Sequence, residues 1–323
     1  MTLLLLSGTA AFSLAQTAAE QDPADEGASP PPATTTAAAD GGSVRFVAYN
    51  LKNWLDMERR VRGEVTTSNK PEAEKTAAVK MLGSLEPTVL GVCEIGGEKD
   101  VIDLQTRLKA AGVDLPHRVV HGGADAVRHL AVLSKYPVTG NQSVKDLTYT
   151  LEGKSFGVQR GILDVTLQVA PDYQLRVMGN HLKSRREVDE GDQALMRRHE
   201  ATLLRQHIDK VLAAQPDVNL LVYGDFNDTK NEQPIKTVQG AFGSKGYLRD
   251  VWLRDRDGLK WTYYWDFADV YERIDFTFVS DGLWPEIDTR SSAVADSPDW
   301  NKASDHRPLL LVVDPQNKAK RAR

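Results

Sequence analysis

The residues of this chain that could do chemistry recur in one setting, at the end of a short apolar run. Asn219 to Thr229 reads NLLVYGDFNDT, in which Leu220 to Tyr223 is an unbroken apolar stretch bounded by Gly224. Such a run reads as a strand buried on both faces. It would deliver Asp225 and Asn227 at its C-terminal edge, where the two-residue period points both side chains to the same face. Taken alone, the stretch is equally a strand followed by an ordinary Asx turn. The setting repeats, however. Asn50 follows Val44 to Tyr49, Glu94 ends Val89 to Cys93, and Asn180-His181 follows Leu175 to Gly179. Asp275 sits in the alternating Ile274 to Val279, and Asp305-His306 lead into Leu309 to Val313.

Singly, Glu94 reads as an exposed loop acid and His181 as a structural histidine. Together the residues have one chemical logic. A carboxylate at the end of an apolar strand is unfavourable unless it is paired or bound to a cation. Acids with one or two amides suit a hard ion, Mg²⁺ or Mn²⁺, whereas a single cysteine and scattered histidines disfavour a structural zinc site. Two histidines among carboxylates add general acid-base capacity. The set suits hydrolysis of a phosphoester, in which a metal offsets phosphate charge and a base activates water.

These residues must be positioned by alternating strands and helices. A helical pattern opens at Pro71, places Ala77, Met81, Leu82 and Leu85 at helical spacing, and stops before Pro87. Asp100 to Ala111 is a second helix, and Ala201, Leu204, Ile208, Val211 and Leu212 mark one face of a long one that feeds the strand at Leu220. His129 to Ser134 and Gly161 to Val169 read as strands, Pro234 to Phe242 as a short helix, and Trp261 to Trp265 as an aromatic cluster that could pack a core or flank a cleft, packing being favoured. Ligand sites of α/β sheets collect at strand ends of this kind.

Composition sets the outer limits. The chain has 323 residues, 41% hydrophobic and 26% charged, which is enough to bury a large core. A net charge of -5 excludes a protein coated in positive field. The lone cysteine, Cys93, lies in an apolar run and is expected to pack. Residues 1–15 carry an apolar segment too short to span a bilayer, with a small-residue cleavage pattern at Ser13-Leu14-Ala15. They are expected to be a signal peptide, although one without a basic start, which would make the protein secreted or periplasmic. Residues 16–43, rich in Pro, Ala and Thr, read as a disordered linker, 44–314 as the catalytic domain, and 315–323 as a basic disordered tail. Nothing calls for an obligate protein partner or a transmembrane segment, and a monomer is expected.

In order, the motifs are VAYN at Asn50, VCE at Glu94, LAVLSKYPV, NHLKS at His181, YGDFND at Asp225, RIDFTFVS at Asp275 and SDHRP at Asp305-His306. From Val44 to Val313 this series resembles the endonuclease/exonuclease/phosphatase superfamily, which includes deoxyribonuclease I, exonuclease III, sphingomyelinases and inositol polyphosphate 5-phosphatases. The resemblance implies an α/β fold, a four-layer α/β sandwich of two packed mixed sheets flanked by helices, with the site at the sheets' shared edge. It implies a Mg²⁺ or Mn²⁺ cofactor, with Glu94 as principal metal ligand and Asn50 and Asp305 in or near the metal shell. It also implies that His306 is the general base oriented by Asp275, that Asp225 and Asn227 hold the attacking water or scissile phosphate, and that His181 stabilises the phosphate and leaving oxygen. Arg160 is a candidate for a supporting contact.

The substrate is less narrowly implied. NHLKSRREVDEGDQALMRRHEA followed by LLVYGDFNDTKNEQPI is most similar to bacterial secreted nucleases of the superfamily, which favours DNA or RNA, with Lys183, Arg185 and Arg186 on flanking phosphates. Asn180 to Glu200 nevertheless holds five basic and five acidic residues, so its net field is near zero. A phospholipid or sphingolipid phosphodiesterase is the second reading, although the sequence displays no exposed apolar hairpin. A sugar- or inositol-phosphate phosphatase is third. A non-catalytic binding module is disfavoured by the complete residue set.

Overall fold

The computed structural model describes residues 42–61 and 63–318. The expected signal peptide, all but the end of the linker, and residues 319–323 of the tail lie outside the described residues.

The apolar runs become the central strands of two six-stranded sheets. The first runs, edge to edge, Ala293–Val294, Leu309–Val313, Val44–Trp54, Val89–Ile95, His129–Ser134 and His117–His121. The second runs Arg249–Asp250, Asp275–Val279, Leu220–Asp225, Tyr173–His181, Leu163–Ala170 and Val138–Asn141. Both are mixed. Val44–Trp54 is parallel to Val89–Ile95 but antiparallel to Leu309–Val313. Leu220–Asp225 is parallel to Tyr173–His181 and antiparallel to Asp275–Val279.

Strand alternation sorts the apolar side chains into two sets, and this builds the layers. Val44, Phe46 and Ala48 face Val165, Val177, Leu221 and Tyr223 across the gap between the sheets. Val47, Tyr49, Leu90 and Val92 turn the other way, under the helices Glu72–Leu85 and Glu98–Ala110. On the far side, Met178, Leu220, Val222, Phe276 and Phe278 lie beneath Gln193–Ala214 and Gln233–Gln239. The result is the four-layer α/β sandwich. The long helix starts where Asp192 accepts hydrogen bonds from Ala194 N (2.7 Å) and Leu195 N (3.1 Å), satisfying two amides of its first turn. Among the described residues, no helix is long and apolar enough to cross a membrane.

Element ends differ from the sequence expectation where backbone conformation intervenes. The strand expected from Gly161 begins at Leu163, because Gly161 has a φ of +64°. The short helix expected to reach Phe242 stops at Gln239, ahead of Gly240 with φ +81°. Three hairpins, Met57–Val61 with Glu64–Ser68, Thr148–Leu151 with Lys154–Gly157, and Tyr263–Trp265 with Val270–Glu272, lie outside the strands read from the sequence.

Tyr223 fills the gap between the sheets. Its ring meets Phe46 edge-on at 5.1 Å and its hydroxyl donates to Ala131 O at 3.3 Å, in the opposite sheet. The space exists because Gly91 and Gly179 lack side chains. A Cβ at Gly91 would overlap the tyrosine ring, and one at Gly179 would lie 2.7 Å from its hydroxyl oxygen. Gly91→Ala is therefore expected to lower stability by about 1–3 kcal/mol through overpacking. Urea unfolding of Gly91→Ala, Tyr223→Ala and the double variant checks this. The double variant should lose less than the two single losses together, and strict additivity would contradict the overlap.

Candidate active site

Strand direction explains why residues far apart in sequence share one place. Val44–Trp54 and Val89–Ile95 are parallel and end together, bringing Asn50 opposite Cys93, beside Glu94. In the second sheet His181 pairs with Asp225 and Asp225 with Asp275, so two strand ends and one strand start lie side by side. Ser304 Oγ donates to Asn50 O at 2.9 Å, which pins the Asp305-His306 entry to the last strand at the same edge. Glu94, His181, Asp225, Asn227, Asp305 and His306 line a single open cleft of about 670 Å³.

Asp225 is buried at its centre. Its Oδ1 accepts from Asn227 N at 2.8 Å and its Oδ2 from Asn50 Nδ2 at 3.0 Å. Burial, and then the field of Asp275, push this carboxyl up to about 7. His306 Nδ1 lies 2.8 Å from Asp275 Oδ2, and its Nε2 is 3.8 Å from Asp225 Oδ2. Burial opposes charge on this ring, but Asp275, Asp225 and Asp305 outweigh it and carry the imidazole up to about 10. Both ring nitrogens are then protonated, and Nδ1 donates to Asp275. Asp275 is fixed in turn by its own amide, which donates to Thr262 Oγ1 at 3.1 Å.

His181 is the opposite case. Its Nε2 is 3.6 Å from Asp225 Oδ2 and 3.8 Å from Glu94 Oε1, yet these are not ion pairs. Burial, and then Arg160, hold the imidazole well below its ordinary range, so it is neutral. Its Nδ1 is buried without a partner. A bare lone pair there is less unfavourable than an unsatisfied N–H, which assigns the proton to Nε2, facing the two carboxylates.

The rim is built from unusual backbone. Lys52, Asn53, Glu94 and Asn227 all adopt left-handed φ between 48° and 58°. Non-glycine residues in that region are held there by surrounding structure, and they cluster at functional sites. The sequence reading placed Asp225 and Asn227 on one strand face, but the strand ends at Asp225 and Asn227 turns away in this conformation. Its side-chain amide donates to Leu182 O at 3.0 Å.

Among the described residues, the tightest group of potential metal ligands is Asp225, Asp275 and His306. Two of its atoms are already committed to the His306–Asp275 hydrogen bond, which makes it a proton-handling cluster first. Asn50 is committed as well, since its Oδ1 accepts from Lys52 N and its Nδ2 donates to Asp225. Glu94 and Asp305 are less buried than Asp225, at 19% and 30% side-chain exposure, and unlike Glu272 they are not tied to an arginine among the described residues, which leaves them open to solvent and to a cation. Glu94 Oε2 accepts from Asn53 N at 3.0 Å, and its other oxygen accepts no hydrogen bond among the described residues. An oxygen donor set of this kind fits a hard divalent cation.

The cations divide differently from the sequence reading. Arg160, Arg185 and Arg186 line the cleft, but Lys183 does not. Lys183 is buried, and its ammonium donates to the carbonyls of Ser184 (3.4 Å) and Arg186 (3.3 Å), so it is not presented to a ligand beside Arg185 and Arg186. Arg185 is itself engaged, by both Glu272 oxygens (2.9 and 2.8 Å) and by Asn227 O (3.0 Å). Lys52 and Arg128 also line the cleft and were missed. Arg128 was legible in principle, because an antiparallel strand presents its first residues at the edge where its neighbour ends. The aromatic segment was misread in part. Trp261 packs under Arg307, but Trp265 is half exposed on a hairpin beside the cleft and Phe267 at its tip is 90% exposed.

A family model described as Endonuclease/Exonuclease/phosphatase family matches residues 66–253. No curated protein sequence matches the chain. Among solved structures, the human Nocturnin catalytic domain with bound sulfate anion is 17% identical, covers 84% of this chain and 93% of that one, and has a TM-score of 0.60. Truncated Caenorhabditis elegans TDP2 is 12% identical, covers 84% of this chain and 98% of that one, and has a TM-score of 0.57. Sphingomyelinase C from Streptomyces griseocarneus is 17% identical, covers 84% of this chain and 99% of that one, and has a TM-score of 0.53. At such identities the likeness to solved structures is one of fold. The family model spans more than half of the sequence, and the chain belongs to the endonuclease/exonuclease/phosphatase family.

Proposed function

We propose that this protein is a Mg²⁺- or Mn²⁺-dependent phosphodiesterase that cleaves DNA or RNA. The observation that carries the reading is a buried Asp275–His306–Asp225 cluster opening onto a cleft whose rim holds Lys52, Arg128, Arg160 and Arg186 besides the paired Arg185. Acids and an imidazole supply proton transfer, and a ring of cations suits a substrate carrying more than one negative charge.

His306 Nε2 faces Asp225 and the cleft, so in the neutral ring it is the atom placed to take a proton from an attacking water, while Asp275 keeps Nδ1 protonated and the ring oriented. Asp225, held by Asn50 and Asn227, accepts the second hydrogen of that water. Neutral His181 directs an Nε2–H into the cleft, where it donates to a phosphate or leaving oxygen. Arg160, with Nε buried and unpartnered, adds positive charge on the same side. Held by Glu94 and Asp305, a divalent cation would polarise the phosphoester and offset the acidic field that keeps His306 protonated.

A second reading has its own observation. The hairpin Tyr263–Trp265 with Val270–Glu272 exposes Trp265, Phe267 and Tyr271 beside the cleft. An apolar tip next to a phosphoester site suits a phospholipid or sphingolipid phosphodiesterase acting at a membrane surface. The sphingomyelinase C likeness in fold is compatible with it. Turnover of plasmid DNA, RNA, sphingomyelin vesicles and inositol phosphates, each with Mg²⁺ or Mn²⁺, decides between the readings. Nucleic-acid cleavage that EDTA abolishes and either ion restores is expected. Full activity after metal stripping would remove the metal from the reading, and sphingomyelin turnover without nucleic-acid cleavage would replace the substrate.

The two residues of the proton-handling pair should behave as a unit. His306→Ala is expected to lower kcat by a factor of about 10² to 10⁴ with little change in substrate affinity, and Asp275→Asn should reproduce much of that loss. Single-turnover kinetics on the best substrate of the panel checks this, and a His306→Ala enzyme with unchanged kcat would rule out the base.

The raised imidazole also has a signature in stability. Its folded pKa lies above its unfolded one, so the ion pair contributes fully below about pH 6.5. That contribution is lost as pH rises through about 10. In EDTA, the melting-temperature gap between wild type and His306→Ala should therefore shrink from about pH 7 to about pH 10. A gap that widens over that range would contradict the ion pair.

A further inference from the structure

Most cations around the cleft already have partners. Arg185 is held by Glu272 and Asp228, Arg128 and Arg160 share Asp125, and Lys52 faces Asp305. Just outside the cleft the balance reverses. Lys230 Nζ lies 3.5 Å from the centroid of the Trp252 ring and Lys260 Nζ lies 4.5 Å from the same centroid. Neither ammonium has a carboxylate or hydrogen-bond partner among the described residues. Two like charges are thus held within about a Debye length by one indole, which attracts each of them but neutralises neither. Lys230 and Trp252 are exposed and Lys260 is half-buried, so the pair is open to solvent. An anion placed between them would relieve the repulsion and keep both cation–π contacts.

The position is tied to the site by the chain itself. Lys230 follows the turn that carries Asp225, Asn227 and Asp228. Lys260 precedes Thr262, whose Oγ1 accepts from Asp275 N, and Tyr263, whose ring lies 4.8 Å from that of His306. Trp252 continues the edge strand Arg249–Asp250 after Val251 N donates to Thr277 O, so it runs towards the cleft end of Asp275–Val279. The sheet order places this edge beyond Asp275, on the side away from the strand that begins after Arg160. Two strand spacings separate it from Asp225, about 10 Å. That is the reach of a phosphate a few nucleotides from the scissile one.

We infer that Lys230 and Lys260, positioned by Trp252, form an accessory phosphate subsite for a polynucleotide that extends out of the cleft past Asp275. The inference rests on the nuclease reading and deepens it: the substrate is a polymer gripped by at least one phosphate besides the one cleaved. The lysines act on binding and have no part in proton transfer, so a small diester that never leaves the cleft should not sense them.

The test compares the full chain with Mg²⁺ and its Lys230→Ala/Lys260→Ala variant on a 20-nucleotide oligomer and on bis(4-nitrophenyl) phosphate, with thermal melts as a folding control. The variant should lose about 5- to 20-fold in kcat/KM on the oligomer at low salt, through KM. Its log–log salt slope should be shallower by about 1–2, one unit per phosphate contact removed. Turnover of the small diester should stay within about twofold of wild type, the range expected for a surface change remote from the chemistry. An unchanged oligomer KM and salt slope would overturn the subsite while leaving the nuclease reading intact. An equal loss on both substrates would assign the lysines to the fold instead. Wild-type turnover of the small diester with no cleavage of any oligomer would remove the nuclease reading, and the subsite with it. Loss of binding to phosphatidylserine vesicles in the variant would then reassign the patch to an anionic membrane.

Discussion

The hydrogen bond from Asn50 Nδ2 to Asp225 Oδ2 spans the two sheets at the one edge where their strand ends meet. It constrains the rest of the site. A carboxylate without solvent at the end of a fully buried strand must find donors, and the nearest ones lie on the other sheet and on its own turn. Asn50 and the Asn227 amide supply them, but only if the sheets keep a fixed separation and register at this edge. The core between the sheets sets that separation, with Tyr223, two residues before Asp225, filling the space left by Gly91 and Gly179. Packing in the sandwich and geometry in the cleft are therefore one problem. A residue that shifts the sheets apart also breaks the Asn50–Asp225 contact.

The same constraint separates the two histidines. Both rings are buried and both lie within 4 Å of Asp225 Oδ2, so burial alone would keep both neutral. His306 differs because Asp275 approaches its Nδ1 to 2.8 Å from the neighbouring strand and Asp305 precedes it in the chain. His181 instead has Arg160 as its dominant charged neighbour and no partner at Nδ1. One imidazole is oriented and strongly basic, the other neutral and donating, and the difference comes from which strand lies beside each. That division suits a reaction in which a basic ring, once its own proton is displaced by a bound cation, takes a proton and the neutral ring holds an oxygen.

Much of this was legible in the sequence, because buried strands announce themselves as apolar runs and chemistry-bearing residues stand out where such runs stop. Glu94, His181, Asp225, Asp275, Asp305 and His306 stand out in that way, and the cleft gathers all of them but Asp275, which lies behind it against His306 Nδ1. What was not legible has identifiable physical causes. Left-handed φ at Lys52, Asn53, Glu94 and Asn227 is a tertiary outcome that residue type does not disclose, and it turned Asn227 off the strand face. Lys183 looked like the first of three basic residues aimed at substrate, but side-chain direction depends on what lies beneath, and its ammonium folds back onto local carbonyls. For the aromatic hairpin packing is favoured over flanking a cleft because Trp, Tyr and Phe pack in most settings. Its exposure comes from a two-stranded unit whose backbone is bridged to the rest of the chain at Asp305 to Arg307, leaving its outer end uncovered.

Charge pairing around the cleft then limits which residues can recognise a substrate. Arg185 is fixed by Glu272 on the hairpin, by Asp228 and by the Asn227 carbonyl, so a phosphate reaching it must compete with two carboxylates already in place. An exchange of that kind gains little, since a charged hydrogen bond is lost for each one formed. Arg185 is better understood as the brace that ties the hairpin to the Asp225–Asp228 turn. A polyanion draws most from cations that have no partner to give up. Among the described residues, Arg186 at the rim meets that condition, and the two lysines on Trp252 beyond it give up no carboxylate. Recognition of a long substrate therefore falls to residues outside the motifs that identify the chemistry, which is why those motifs define the reaction more narrowly than they define its substrate.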